Sequence, residues 1–207
     1  MTRLLKLVLV LALGFVLSAC ALPKPGEAPR LFSLTPKTNF NHPTEKLDLQ
    51  LAIAEPHAGR ALQTDRIALR PAPLEFRYVK DARWAGTAPD MIQTLLMESF
   101  ENSRALRAVD RETNIPRSDY LLLVDLREFQ ADDFGENAPR ANVRLTLKLV
   151  RLPEARIVAS EGFGAEVAAT RRGSLLDLVE AFDTALGKVL KCGVTWAIER
   201  MAADDAN

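Results

Sequence analysis

The sequence predicts an α+β fold: a mostly antiparallel sheet with two main helices packed on one face, in a single domain. Three observations carry this. Three successive stretches between residues 120 and 168 alternate apolar and polar side chains, the period of half-buried strands. Two other stretches, around residues 87–103 and 173–201, place apolar residues at helical spacing. No internal repeat and no second linker divides the chain after residue 31. With 207 residues, 48% of them hydrophobic, the chain is long enough to bury one real core.

The elements follow in order. "LFSLTP" (Leu31–Pro36) is a short strand stopped by proline, and residues 37–46 form a polar loop. In "LDLQLAIAEP" the side chains of Leu47, Leu49, Leu51 and Ile53 share one face, with Asp48 and Gln50 on the other. "HAGRALQTDR" is a connection turning at Gly59. "IALRP" and "LEFRYV" then make a hairpin or edge element interrupted by Pro71 and Pro73. The first helix is capped by Thr87, with Pro89 and Asp90 in its first turn, and presents Ile92, Leu95, Leu96, Ser99 and Phe100 on one side. "LRAVD" is a short strand. Three longer strands follow as an antiparallel meander. The first turns Tyr120, Leu122, Val124 and Leu126 inward and the second Val143, Leu145, Leu147 and Leu149; the third, "ARIVASEGFGAEV", comes after a turn at Pro153-Glu154-Ala155. Ser174 with Asp177 opens the last helix, where Gly187 and Gly193 mark either close packing or a break.

The first thirty residues read differently. Met1–Lys6 carries two cations and no acid, and Leu7–Leu17 is an uncharged run of eleven residues. That run is too short for a bilayer core, which takes roughly 20 apolar residues, but suits a signal peptide. It closes with Leu17-Ser18-Ala19-Cys20, small residues before a cut and cysteine after it. This resembles the lipobox of bacterial lipoproteins, which implies cleavage before Cys20 and a diacylglycerol thioether on its sulfur. The competing reading, a core helix ending in a buried thiol, does not account for the cationic start and the cut site together. Residues 1–19 are therefore expected to be a lipoprotein signal peptide and residues 20–30 the lipidated cysteine with a Pro-rich tether. Residues 31–201 form the folded domain and 202–207 a flexible tail. Ala21 stands where an Asp would retain a lipoprotein in the inner membrane, so the same resemblance implies the outer membrane, facing the periplasm. An acylated Cys20 leaves Cys192 without a partner, and its apolar helical surroundings predict a small buried residue.

Composition narrows the function. Lys+Arg and Asp+Glu both number 27, so no overall field or basic stripe favours nucleic acid. His42 and His57 flank prolines in loops, without further ligands at useful spacing. Gly162-Phe163-Gly164 lacks the third glycine of a dinucleotide loop and reads as a strand bend. Asp132, Asp133 and Glu136 lack the alternate-oxygen spacing of a calcium loop and read as a solvated turn. No catalytic, cofactor or metal set emerges. What remains is an aromatic and cationic cluster, Phe76, Tyr78 and Trp84 beside Arg77, Lys80 and Arg83. Such clusters either cover the end of a core or form a partner interface, and Tyr78, Arg83 and Trp84 are the candidate interface residues.

The order of segments resembles the ABC-type transport auxiliary lipoprotein family, which includes the lipoprotein of the paraquat-inducible system. The most specific pieces are "LQTDRIALR" and "DARWAGTAPDMIQTLL"; Leu62, Asp65, Arg66 and Trp84 match recurring positions. Only "LPEARIVAS" departs, where relatives often carry a glycine in the turn. The resemblance implies a non-enzymatic partner of an MCE-type ABC system that moves lipids between the two membranes. Its partners would be the MCE-domain conduit protein and, through Cys20, the membrane, with the number of copies open, a homo-oligomer included. The alternative is a lipoprotein whose domain itself carries a lipid or other apolar ligand, which requires an enclosed pocket.

Overall fold

The computed structural model describes residues 28–40, 46–114, 117–135 and 137–206. The signal-peptide residues, Cys20, most of the tether, His42 and Glu136 lie outside the described residues. The elements are β1 (Arg30–Phe32), β2 (Leu47–Ile53), β3 (His57–Ala58), β4 (Arg66–Ala72) and β5 (Glu75–Trp84). Then come α1 (Ala88–Ser103), β6 (Leu106–Arg111), β7 (Tyr120–Asp132), β8 (Arg140–Arg151), β9 (Arg156–Ala168) and α2 (Leu175–Asp205). This is the expected α+β domain, with nine strands in one mixed sheet, antiparallel over most of its paired residues, and two helices.

The sheet is built around β7. One edge of this strand pairs antiparallel with β8 along its whole length, and β8 pairs in turn with β9, which is the expected meander. The other edge is shared by three short strands running parallel to it. β2 meets residues 120–122, β3 meets Asp125 and Leu126, and β4 meets residues 130–132. One passage of chain therefore lines one edge of β7 in three pieces, broken at Pro56 and at the Gly59 turn, whose carbonyl accepts from Leu62 and Gln63. β6 extends the sheet beside β2, and β5 and β1 extend it beside β4. β4 is thus an interior strand. Pro71 is accommodated because only Ala68–Arg70 pair with β7 and the β5 register shifts between Leu69 and Ala72.

The inner face carries the core. Leu51, Ile53, Tyr120, Leu122, Leu145 and Leu149 are fully buried, against Ile92, Leu96 and Phe100 of α1 and Phe182, Leu186 and Leu190 of α2. Each such side chain contributes about 1.5–3 kcal/mol on burial. At the centre Trp84, Phe129 and Phe182 form an aromatic triangle with ring centroids 5.1–5.3 Å apart. Both helix starts are as the sequence dictates. The Thr87 hydroxyl accepts from the Asp90 amide, and Ser174 accepts from the Asp177 amide while Arg171 grips the Asp177 carboxylate through two bonds of 2.9 Å. Between β1 and β2 the chain ties the helices together: the Thr35 amide donates to Asp183 on α2, and the Lys37 amide donates to Ser99 on α1.

Two expectations need correction, and one open alternative is decided. The glycine pair in β9 makes no bend, since residues 159–168 stay in continuous register with β8; Gly164 instead lets the Arg144 side chain lie across it. The last helix does not break, and Gly193 sits where a Cβ would stand 2.8 Å from the Leu147 side chain, so its role is close packing. Nor is the chain loose from residue 202, because α2 continues to Asp205. The reason is Asp204: its carboxylate accepts from Arg151 at 3.0 Å, Arg156 at 2.7 Å and the Tyr120 hydroxyl at 2.9 Å, fastening the helix end to the sheet.

Candidate docking surface

The two segments most specific to the resemblance, residues 62–70 and 81–96, meet in space. Asp65 and Arg83 form a forked ion pair, one guanidinium nitrogen lying 2.9 and 3.0 Å from the two carboxylate oxygens. The main chains lock as well: the Trp84 amide donates to the Asp65 carbonyl and the Ala88 amide to the Thr64 carbonyl. Leu62 is buried beneath this junction. Arg66 lays its guanidinium 3.8 Å from the Tyr78 ring centroid, and the Tyr78 hydroxyl donates to the Ala61 carbonyl. β1 closes the edge, where the Ala85 amide donates to Phe32.

The aromatic cluster divides between the two faces of the sheet. Simple alternation would put Phe76, Tyr78 and Trp84 on one side, since all are even-numbered. Arg66 pairs with Arg83 but Ala68 pairs with Tyr78, so β5 holds three more residues than β4 over this interval. An odd excess swaps faces. The bulge turns on Asp81, whose φ of 51° lies in the left-handed region that aspartate tolerates better than most side chains. Trp84 consequently points into the core, 1% exposed, while Phe76 and Tyr78 stack edge to face on the outer side. The candidate interface therefore loses Trp84 and keeps Tyr78 and Arg83, which line one shallow recess with Pro29, Arg66 and Lys80.

The remaining candidates resolve into surface chemistry. His57 is largely exposed, 3.6 Å from Asp125. Asp132 is held by two bonds from Arg70, and Asp133 pairs with Arg172, so these carboxylates serve ion pairs in place of a solvated turn. Among the described residues no cluster of His, Cys, Asp or Glu could hold a metal ion. Cys192 corrects the expectation of a buried thiol. It is exposed, because the buried face of α2 passes through Val189, Leu190, Gly193 and Val194. The perturbed titrations belong to structural contacts. Burial and the Asp204 carboxylate push the Tyr120 hydroxyl up to about 12, and the Arg171 and Ser174 bonds hold the Asp177 carboxyl far below its usual range. Sequence reasoning missed the Asp65–Arg83 clamp and the Asp204 network, since both join residues distant in the chain.

No described helix is long and apolar enough to cross a membrane. A family model described as "ABC-type transport auxiliary lipoprotein component" matches residues 32–191. An uncharacterized protein of Bradyrhizobium diazoefficiens is 30% identical over 173 residues, covering 81% of this chain. The match takes in 44% of that relative, so the chain spans less than half the length of the curated protein it matches. The crystal structure of a Xanthomonas campestris protein of family DUF330 is 31% identical with a TM-score of 0.80, covering 86% of this chain and 99% of that one. A crystal structure of another uncharacterized protein, 12% identical with a TM-score of 0.58 over 86% of this chain and 99% of its own, shares the fold alone. On the extent of the family match, which takes in the sheet from Phe32 through β9 and the first half of α2, this chain belongs to the ABC-type transport auxiliary lipoprotein component family.

Proposed function

We propose that this auxiliary lipoprotein is a non-enzymatic component of an MCE-type ABC system moving lipids between the inner and outer membranes. Acylated at Cys20, it sits on the periplasmic face of the outer membrane and docks the lipid conduit there. The observation that supports this reading best is the interlocking of residues 62–70 with residues 81–96. Together with Tyr78 of β5 they build a partly exposed surface of Arg66, Tyr78 and Arg83 beside Pro29, where the described chain approaches the tether. Aromatic rings with arginines fixed on them are the side chains that carry protein interfaces.

The carrier alternative fares less well. The inner face of the sheet is filled by helix side chains. Among the described residues, an apolar surface recess lined by Leu69, Val79, Leu175 and Leu178 has a volume of about 240 Å³, while a larger one of about 530 Å³ is lined by charged and polar side chains, Glu55, Asp90, Gln93, Arg111, Glu112 and Thr113. Ligand pockets generally start at about 300 Å³ and enclose most of their ligand.

The test is capture of the native MCE subunit from detergent extracts by the tagged full-length lipoprotein. Capture is expected with the native protein and reduced by Tyr78→Ala and Arg83→Ala in variants whose unfolding midpoint stays near that of the native protein. Failure to capture an intact conduit counts against the docking role. Stoichiometric lipid retained by the purified protein would favour the carrier.

A further inference from the structure

Among the described residues, Leu31, Leu123 and Ile157 are large exposed apolar side chains at separate places, and four others group together. Leu74, at the tip of the β4–β5 hairpin, is 102% exposed, and Phe76 next to it, Phe134 after β7 and Leu176 at the start of α2 are exposed too. These come together at one pole of the molecule. β4 ends alongside the end of β7, with Arg70 opposite Asp132 and its guanidinium 5.4 Å from the Phe134 ring. Leu69, Asp133, Arg172 and Leu175 line one recess there, which joins the hairpin, the β7–β8 loop and the α2 start. Four described carboxylates of this pole are paired in place: Glu75 with Arg77, Asp132 with Arg70, Asp133 with Arg172 and Asp177 with Arg171. The pole thus offers exposed apolar tips among arginines whose neighbouring carboxylates are largely paired.

The direction of the chain selects the occupant. β1 runs parallel to β5 with Arg30 opposite Ala82, so the residues before Arg30 head back along β5. Pro29 already lines a recess with Val79 and Lys80. The hairpin tip at Leu74 lies five residues further, about 16 Å at roughly 3.3 Å per strand residue. Residues 21–28 separate Cys20 from Pro29, a reach of up to about 29 Å at 3.6 Å per residue. The described end of the tether, residues 28 and 29, therefore points toward the apolar pole, and the eight residues between Cys20 and Pro29 are enough in length to reach it.

We infer that this pole is the membrane-contacting face of the domain: Leu74 and Phe134, with Leu176 beside them, enter the headgroup region of the bilayer that holds the acyl chain. The inference rests on the Cys20 anchor proposed above, and its test separates the two. In the acylated full-length protein with Cys192→Ser, an environment-sensitive fluorophore is placed singly at Leu74→Cys, Phe134→Cys or Ile157→Cys. Ile157 is exposed at the opposite pole, by the β8–β9 turn, about 40 Å away along the 13 residues of β7. An interfacial side chain reaches only about 5–10 Å into the bilayer, so the poles are distinguishable. The protein is reconstituted into phosphatidylethanolamine–phosphatidylglycerol vesicles containing nitroxide-labelled lipid. Quenching several-fold stronger at positions 74 and 134 than at 157 is expected. Equal quenching at both poles, none at either, or crosslinking of position 74 to another protein chain in place of quenching overturns the assignment. The mass of the N-terminal peptide reports acylation independently. An unacylated protein that is still quenched at 74 would refute the anchor and keep the contact face.

Discussion

Trp84 and Tyr78 stand six residues apart on one strand, yet one is sealed in the core and the other lies on the surface, because Asp81 adopts a left-handed conformation between them. This assigns them different duties. Trp84 packs at 5.3 Å from both Phe129 and Phe182, so Trp84→Ala should cost about 3–5 kcal/mol in denaturant unfolding. Its indole N–H has no hydrogen-bond partner among the described residues, so the side chain contributes volume and no polar bond. Trp84→Phe should therefore cost much less than the alanine variant. Comparable losses for the two variants would mean that the indole nitrogen has a partner that matters.

At the scale of elements, α2 is the long clamp on the sheet, fixed at both ends by carboxylates. Asp204 is the informative one. The hydrogen bond from Arg156, followed by those from Arg151 and Tyr120, holds its carboxyl down to about 2 in the folded protein, against an ordinary value of 3.8. A carboxylate with a lowered folded pKa stabilises the fold above its unfolded value and loses that contribution as pH falls toward the folded one. Asp204→Asn should lower stability by about 1–3 kcal/mol at neutral pH and flatten its decline between roughly pH 4 and 2, as followed by urea unfolding across pH. Two glycines of the same helix make a second comparison. A Cβ at Gly187 meets nothing within 4 Å, so Gly187→Ala should stabilise by about 1 kcal/mol. At Gly193 the same methyl would press on the buried Leu147, and the cost of overpacking, about 1–3 kcal/mol, removes the gain. Thermal unfolding of the two variants should show the difference in sign. Elements of this kind were legible in the sequence because caps and periodicity are local: Thr87, Ser174 and the alternation in β7 and β8 sufficed. The two-residue β3 and the bulge at Asp81 were not, since nothing in the surrounding residues distinguishes them from a loop or a regular strand. Cys192 shows the limit of reading by composition. Its neighbours are apolar, but the helix turns it to the outside.

For the whole molecule, the central strand decides the layout. β7 devotes one edge to β8 and divides the other among β2, β3 and β4, which lets a short passage of chain brace the full length of the sheet and carry the Asp65–Arg83 junction at its end. The meander was readable in advance because its strands are consecutive; the parallel pairings were not, because they join segments separated by several other elements. The proposed docking surface was legible in part, as two recurring segments and as Tyr78 and Arg83 within an aromatic and cationic cluster, but that the segments touch is a property of the fold. The proposed anchor and tether, the apolar pole and the interlocked surface fit one reading, a molecule held at a membrane by its N-terminus with the Tyr78 and Arg83 surface available to a partner. The claim beneath this is covalent: a thioether on Cys20. Metabolic labelling with radioactive palmitate, comparing the full-length chain with its Cys20→Ser variant, tests it most directly. The account predicts label in the native protein and none in the variant. Absence of label from the native protein, or equal label in both, would contradict it.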